Sequence, residues 1–337
     1  MRISGDHRPR IVVFTNLSQP PFNNNLLPPV EAFRRVGPVR VVEPHLAPGF
    51  VPTGAAAPAE IPVSAARRIA EDFEADQVIC LGGALFLSRE SRALFPPATV
   101  FVGIALSDPL GLEASMAVAP EFDIFYTQDP QTIPTYAAAG LDVRRCDLAV
   151  DTEIFRRVPC DPTCDAVFVG KWTPYRDRML RSLTDRCTVA IHTHRGEDRW
   201  SLPTLPELDT PDDLCRAFSG ARLAIDFALV EQPGNLFDGT YRMTPRTQLA
   251  AACAVPTLIE AFSGLDELFT PGTEVVTFSS TEEMVGIAEE LLGDADRRRA
   301  LGLAAHRRVV ADHTWDHRVR QILGDIENVR KNLSAAK

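Results

Sequence analysis

The chain has 337 residues, of which 45% are hydrophobic and 24% charged, and its formal net charge is −10. That length suggests about two domains, and the balance excludes a disordered chain, a collagen or a coiled coil. The acidic excess argues against a general nucleic-acid binder or a polybasic membrane-surface protein.

The first residues, MRISGDHRPR, are polar, and no stretch reaches the roughly 18 apolar residues of a membrane span. Seven cysteines (Cys80, Cys146, Cys160, Cys164, Cys187, Cys215 and Cys253) stand at irregular spacings that do not suggest a disulfide framework or a zinc finger. Idle thiols and a cytoplasmic location are the expectation.

Along the first half, β-branched runs predict strands at Ile11–Phe14, Val39–Val42, Gln77–Leu81, Thr99–Ile104, Asp123–Tyr126 and Val143–Asp147. Helical patterns fall near Leu27–Arg35, Ala65–Ala75, Ser88–Leu94 and Gln131–Ala139. Alternation of this kind indicates βαβ units and a mainly parallel sheet. Runs such as VICLGG and VFVGIAL are apolar throughout, as in strands covered on both faces. The Pro- and Ala-rich stretch Pro44–Pro62 reads as a long loop.

The alternation then restarts. Strands are predicted at Asp165–Val169, Thr188–His192, Arg222–Phe227, Val255–Ile259 and Glu274–Phe278. Helices are predicted at Arg176–Leu183, Pro211–Phe218, Pro245–Cys253, Glu282–Leu292, Asp294–Val310 and Trp315–Lys331. Val158 to Thr163, with two prolines, reads as the linker. The expected domains are 1–157, 158–314 and a helical tail, 315–337.

Parallel sheets bind ligands beyond the carboxyl ends of their strands. In the second half Gly170-Lys171 directly follows a strand and Arg176 opens the next helix. In Gly239-TYRMTPRT-Gln248, Thr244 has N-cap chemistry, Pro245 suits the first helical position, and Arg246 lies in the first turn. Free N–H groups, a positive dipole end and a fixed cation make an anion site. An ordinary capped helix with a solvated arginine is an equal alternative for that segment alone. Cations from two strand ends favour a diphosphate.

VFVGKWTPYRDRMLRSL, RMTPRTQLAAACAVPTLIE, GLDELFTPGTEVVTF and HTWDHRVRQIL, in that order, resemble the C-terminal half of GT-B glycosyltransferases, in the group 1 branch that includes CgeB-like spore-maturation proteins. SDPLG, FDIFYTQD and AVDTEIF fit the N-terminal half and hinge. The resemblance covers roughly the last two thirds of the chain well and the rest loosely. It implies two Rossmann-like α/β domains facing a cleft, with the last helix returning to the first domain. It implies a Leloir-type transferase without a metal or resident cofactor, taking a nucleotide-diphosphate sugar as co-substrate. The acceptor would be a small molecule or glycan. Gly170, Lys171, Arg176, His192, Thr244, Arg246 and Gln248 would serve the donor.

One departure stands out. The family's Arg-x-Phe-Glu, whose glutamate binds the ribose hydroxyls, is here Arg246-Thr247-Gln248-Leu249. Gln248 contacting the ribose, a deoxythymidine donor in place of UDP, or a degenerate binding module without catalysis are the three alternatives. Nucleotide-sugar epimerases and phosphorylases would need catalytic carboxylates or a cofactor lysine, and no such set is evident.

Asp108, at the end of an apolar strand, is the candidate catalytic base, with Ser-Asp-Pro turn chemistry as its alternative. Asn16, Ser18 and the run Asn23-Asn24-Asn25 follow the first strand and are acceptor-side candidates, or a polar loop capping a helix. His192 and His194 point to one side but lack a third metal ligand at convincing spacing. His313 and His317 read as structural, Trp172 as packing, and Asp294-Ala-Asp296 as a helix cap. Gly-x-Ser-x-Gly, P-loop, Rossmann and HExxH signatures are lacking.

Overall fold

The computed structural model describes residues 8–18, 23–47, 57–82, 84–193, 197–231, 233 and 236–335. Two compact units divide it: residues 1–147 with 315–337, and residues 148–314.

The first unit holds β1 (Ile11–Phe14), α1 (Asn23–Val36), β2 (Val39–Val42), β3 (Ala59–Glu60), α2 (Val63–Asp72), β4 (Gln77–Leu81), β5 (Leu85–Phe86), α3 (Arg89–Arg92), β6 (Val100–Ala105), α4 (Leu112–Val118), β7 (Ile124–Thr127), α5 (Ile133–Ala138) and β8 (Val143–Arg145). Six strands form one parallel sheet in the order β2-β1-β4-β6-β7-β8, and β3 pairs with β5 separately. β1, β4, β6 and β7 are buried along their whole length, which is why their sequences are apolar without alternation.

The second unit holds β9 (Cys164–Val169), α6 (Pro174–Thr184), β10 (Val189–His192), α7 (Pro211–Ser219), β11 (Ala221–Asp226), α8 (Pro245–Ala252), β12 (Thr257–Glu260), β13 (Val276–Phe278), α9 (Thr281–Gly293) and α10 (Ala295–Asp312). Its five strands are parallel, in the order β10-β9-β11-β12-β13. Asp294 caps α10, accepting from the Arg297 N–H at 2.8 Å.

The last helix, α11 (Trp315–Ala335), belongs to the first unit. Val319, Ile322 and Ile326 bury one face of it at helical spacing. Asp325 accepts from Tyr126 Oη at 2.6 Å and pairs with Arg144 at 3.1 Å, and Arg330 donates to the Asp76 carbonyl.

The first division falls ten residues before the expected one, and the segment Val158–Thr163 is not a loose linker. Val150 and Phe155 are buried in the second unit's core, and the Val150 N–H donates to the His313 carbonyl. Val158 N–H donates to Ser219 Oγ and Thr163 N–H to the Gly220 carbonyl at 2.7 Å. Two prolines here mark an edge strapped to the sheet rather than free chain. His313 is structural: its Nε2 lies 2.8 Å from the Leu268 carbonyl, and its ring packs on Phe269.

Ser107-Asp108-Pro109 forms a turn, as its chemistry suggests, and helix α4, which the sequence reading did not expect, follows it from Leu112. Helix α1 begins at Asn23, four residues before the expected Leu27, and contains Pro28 and Pro29. The seven cysteines are free, and Cys80, Cys146, Cys215 and Cys253 are buried. Among the described residues no helix is long and apolar enough to cross a membrane.

Candidate functional site

The carboxyl ends of β9, β11 and β12 gather the chemistry of the second unit. Asp226, the last residue of β11, is fully buried. Its carboxylate accepts from Thr244 Oγ1 at 2.6 Å, Thr247 Oγ1 at 2.7 Å and Arg246 Nε at 2.7 Å. Arg246 Nη2 also donates to the Phe227 carbonyl at 3.1 Å. A buried carboxylate needs such donors, and here it fixes the entire entry of α8.

This corrects the expected role of Thr244. It occupies the N-cap position with extended φ and ψ, but its hydroxyl makes no cap bond. The buried carboxylate of Asp226 takes that hydrogen instead. The first N–H groups of α8 are left without a side-chain cap, at the positive end of the helix dipole.

Arg176, in the first turn of α6, approaches from the β9 side. Its Cζ lies 5.7 Å from the centroid of the Phe168 ring, and that of Arg246 lies 5.4 Å from the same centroid. Thr173 caps α6 by accepting from the Arg176 N–H, while Arg176 Nη1 donates to the Lys171 carbonyl at 3.1 Å. Burial lowers the Arg176 pKa to about 9; the facing Arg246 cation adds to the fall and Asp226 opposes it. Gly170 makes the convergence possible: a Cβ there would stand 2.9 Å from both Arg246 Nη1 and Phe168 Cζ. Lys171 is exposed beside it.

His192 lies on the neighbouring strand, its carbonyl accepting from the Gly170 N–H at 2.9 Å. Its Nδ1 is 3.0 Å from the Pro206 carbonyl, so Nδ1 carries the hydrogen. His194 lies outside the described residues. Gln248 is buried, and both its amide atoms lack a partner. Leu249, at the family's glutamate position, packs in the hydrophobic core. Trp172 is partly buried, and its ring lies under the Arg199 guanidinium.

Sequence reasoning missed Tyr175 and Phe168 and gave Asp226 and Glu260 no role. Glu260 ends β12, accepts the N–H groups of Ala228 and Leu229 at 3.1 and 3.0 Å, and takes a short hydrogen bond from Tyr175 Oη. Their signal was available: both acids close apolar strands, where a carboxylate survives only with donors around it.

The first unit carries two polar clusters. Asp108 is fully buried, so it does not stand as an open base. It accepts from Ser115 Oγ at 3.0 Å, Thr127 Oγ1 at 2.8 Å and Tyr136 Oη at 2.7 Å. Its carbonyl accepts from Gln128 Nε2. Three hydroxyls donate to the carboxylate and hold it in place.

Asn16 and Ser18, after β1, meet residues that follow β2. His45 Nδ1 donates to Asn16 Oδ1 at 2.8 Å, and His45 Nε2 lies 3.2 Å from Ser18 Oγ. Glu43 accepts from the Ser18 N–H at 3.1 Å and, more closely, from its hydroxyl. Asn25 is exposed, while the side chains of Asn23 and Asn24 lie outside the described residues.

Comparison with known proteins fits this geometry. Residues 176–324 match the family model described as Glycosyl transferase-like. A search of curated proteins gives no match. Among solved structures, the sucrose-phosphate synthase of Thermosynechococcus elongatus is similar at 13% identity and a TM-score of 0.64, over 98% of this chain and 100% of that one. Anabaena HepE in complex with UDP-glucose is similar at 12% identity and a TM-score of 0.63, over 95% and 100%. AviGT4, a glycosyltransferase involved in avilamycin A biosynthesis, is similar at 13% identity and a TM-score of 0.60, over 96% and 98%. The chain has the GT-B glycosyltransferase fold, built on two parallel Rossmann-like sheets, and its residues 176–324 are similar to the glycosyl transferase-like family.

Proposed function

We propose that this protein is a Leloir-type glycosyltransferase that takes a nucleotide-diphosphate sugar and transfers the sugar to a small-molecule or glycan acceptor. The observation that carries the reading is the pair of guanidinium groups, Arg176 and Arg246, whose Cζ atoms lie 5.7 and 5.4 Å from the centroid of the Phe168 ring. They stand beside Gly170-Lys171 and the uncapped start of α8. Two cations held in a partly buried site repel each other until an anion arrives. A diphosphate relieves that repulsion, and its growing charge as the sugar departs is stabilised by groups already in place. Arg176, Arg246 and Lys171 thus supply the counter-charge that a divalent metal supplies elsewhere.

The HepE complexes with UDP and with UDP-glucose support a uridine or related donor by analogy of fold. Leu249 removes the acidic ribose contact, and the unpartnered amide of Gln248 is our candidate replacement. His192, through Nε2, and Thr244 complete the donor side. Asn16 and Ser18 remain our candidates for the acceptor side.

Isothermal titration with UDP, dTDP, GDP and ADP tests the reading and names the base. Arg246→Ala and Lys171→Ala should each weaken the best ligand while the fold survives. Heat-silent, shift-free titrations with all four nucleotides would instead support the second reading, a binding module without catalysis, which Leu249 favours.

A further inference from the structure

The opposite end of the second sheet holds a cavity of about 360 Å³. It lies at the amino ends of β11 and β12, lined by Ala221, Arg222 and Pro256, whereas the Arg176–Arg246 pair stands at the carboxyl ends. Four arginines line it: Arg157, Arg222, Arg298 and Arg299. No carboxylate is in its lining, in a chain of net charge −10.

Three of these side chains are anchored. Arg157 Nη1 donates to the carbonyls of Cys253 and Ala254, at 3.4 and 3.3 Å. Arg298 Nη1 donates to the carbonyls of Leu291 and Leu292. Arg222 Nη1 pairs with Asp165 at 2.9 Å. A guanidinium has five N–H donors, so each anchor uses a minority of them and fixes the rest. Arg299 is exposed on the same rim. The remaining walls include Pro256 and the exposed Leu303.

We propose that this cavity is a second anion site, separate from the donor end, for a phosphorylated small molecule with an apolar body. The phosphate meets the guanidinium rim, where planar forks suit its oxygens. The body rests on Leu303 and Pro256. The volume suits a small ligand. An extended polyanion is disfavoured by the chain's net charge of −10. Helix α8 links the two sites: its N-terminus carries Arg246, and the carbonyls at its C-terminus hold Arg157.

Isothermal titration with inorganic phosphate and phenyl phosphate tests this, using the full chain and the variants Arg299→Glu, Arg157→Gln, Leu303→Asn and Arg246→Ala. The wild type should bind phenyl phosphate more tightly than phosphate. Arg299→Glu and Arg157→Gln should each weaken both at least tenfold at unchanged melting temperature. Leu303→Asn should remove the preference for the phenyl compound, and Arg246→Ala should leave this site intact. Wild-type affinity for both probes in Arg299→Glu and Arg157→Gln overturns the site. Because Arg246→Ala separates the two ends of the sheet, a failure to bind nucleotides leaves this outcome readable.

Discussion

Arg246 and Asp226 form a pair in which the carboxylate is fully buried and the guanidinium, 15% exposed, largely so, with Nε 2.7 Å from Oδ1. The carboxylate also collects Thr244 and Thr247, so it is an organiser of the α8 entry. Asp226→Asn keeps the shape but removes the charge and replaces acceptor capacity with N–H donors. It should destabilise the protein by about 2–3 kcal/mol, the scale of a lost hydrogen bond to a charged group. Urea denaturation at constant m-value measures it, and an unchanged midpoint contradicts the assigned role.

Nucleotide binding should be linked to protons at alkaline pH. Arg176 is lowered to about 9 by burial and the facing Arg246 cation. An unfolded arginine titrates at its ordinary, higher value. Between the two values the unfolded chain holds more protons, so this group makes stability rise with pH there. Below about pH 9 the cost of housing the charge is present in full. A bound diphosphate raises the Arg176 pKa again. Titration in buffers of different ionisation enthalpy should therefore show proton uptake at pH 9 and little from this group near pH 7.

Much of the fold was legible because its strands are short apolar runs closed by polar loops. β1, β2 and β4 match the expected spans residue for residue. Helix α4 was not legible: it is only seven residues long, directly after the Ser107-Asp108-Pro109 turn, and burial of Leu112, Ala114, Ser115 and Val118 decides it. In the site, the cationic residues were visible as residue types at strand ends. The partner choice of Thr244 was not, because its local signal is that of a cap and a residue 18 positions earlier overrides it. His45 and Glu43 went unseen for a similar reason: only the parallel pairing of β1 with β2 brings them to Asn16 and Ser18.

Ala254 is a non-glycine residue at φ +52°, just past the end of α8. Its N–H and that of Val255 close the helix on the Ala251 and Ala250 carbonyls. Ala254→Gly should stabilise the protein by roughly 1 kcal/mol by relieving the left-handed strain. The neighbouring Gly302 behaves in the opposite sense. A Cβ there would lie 2.3 Å from the Ala254 carbonyl oxygen, so Gly302→Ala must push α10 away from α8 and lower the melting temperature. Thermal unfolding of both variants checks the pair.

Asp108 gives a test of positioning against proton transfer. Tyr136→Phe removes one of the three hydroxyls on its carboxylate. A positioning role predicts a stability loss of about 2 kcal/mol, the scale of one hydrogen bond to a charged group. The pH profile of sugar transfer should keep its shape. A shifted acidic limb in Tyr136→Phe would return Asp108 to the role of base.

Gly170→Ala isolates the cation pair from the fold. The added methyl group meets Arg246 Nη1 and Phe168 Cζ, each at 2.9 Å. The ring is locked in the core, so the guanidinium must yield, and it is the group that can move. Arg246 then moves off the Phe168 ring while the sheet is unchanged. Nucleotide-diphosphate affinity should fall by about tenfold, equivalent to ~1.4 kcal/mol, with the melting temperature of the free protein nearly constant. A large drop in melting temperature with unchanged affinity would mean that Gly170 serves strand packing and that Arg246 does not hold the diphosphate.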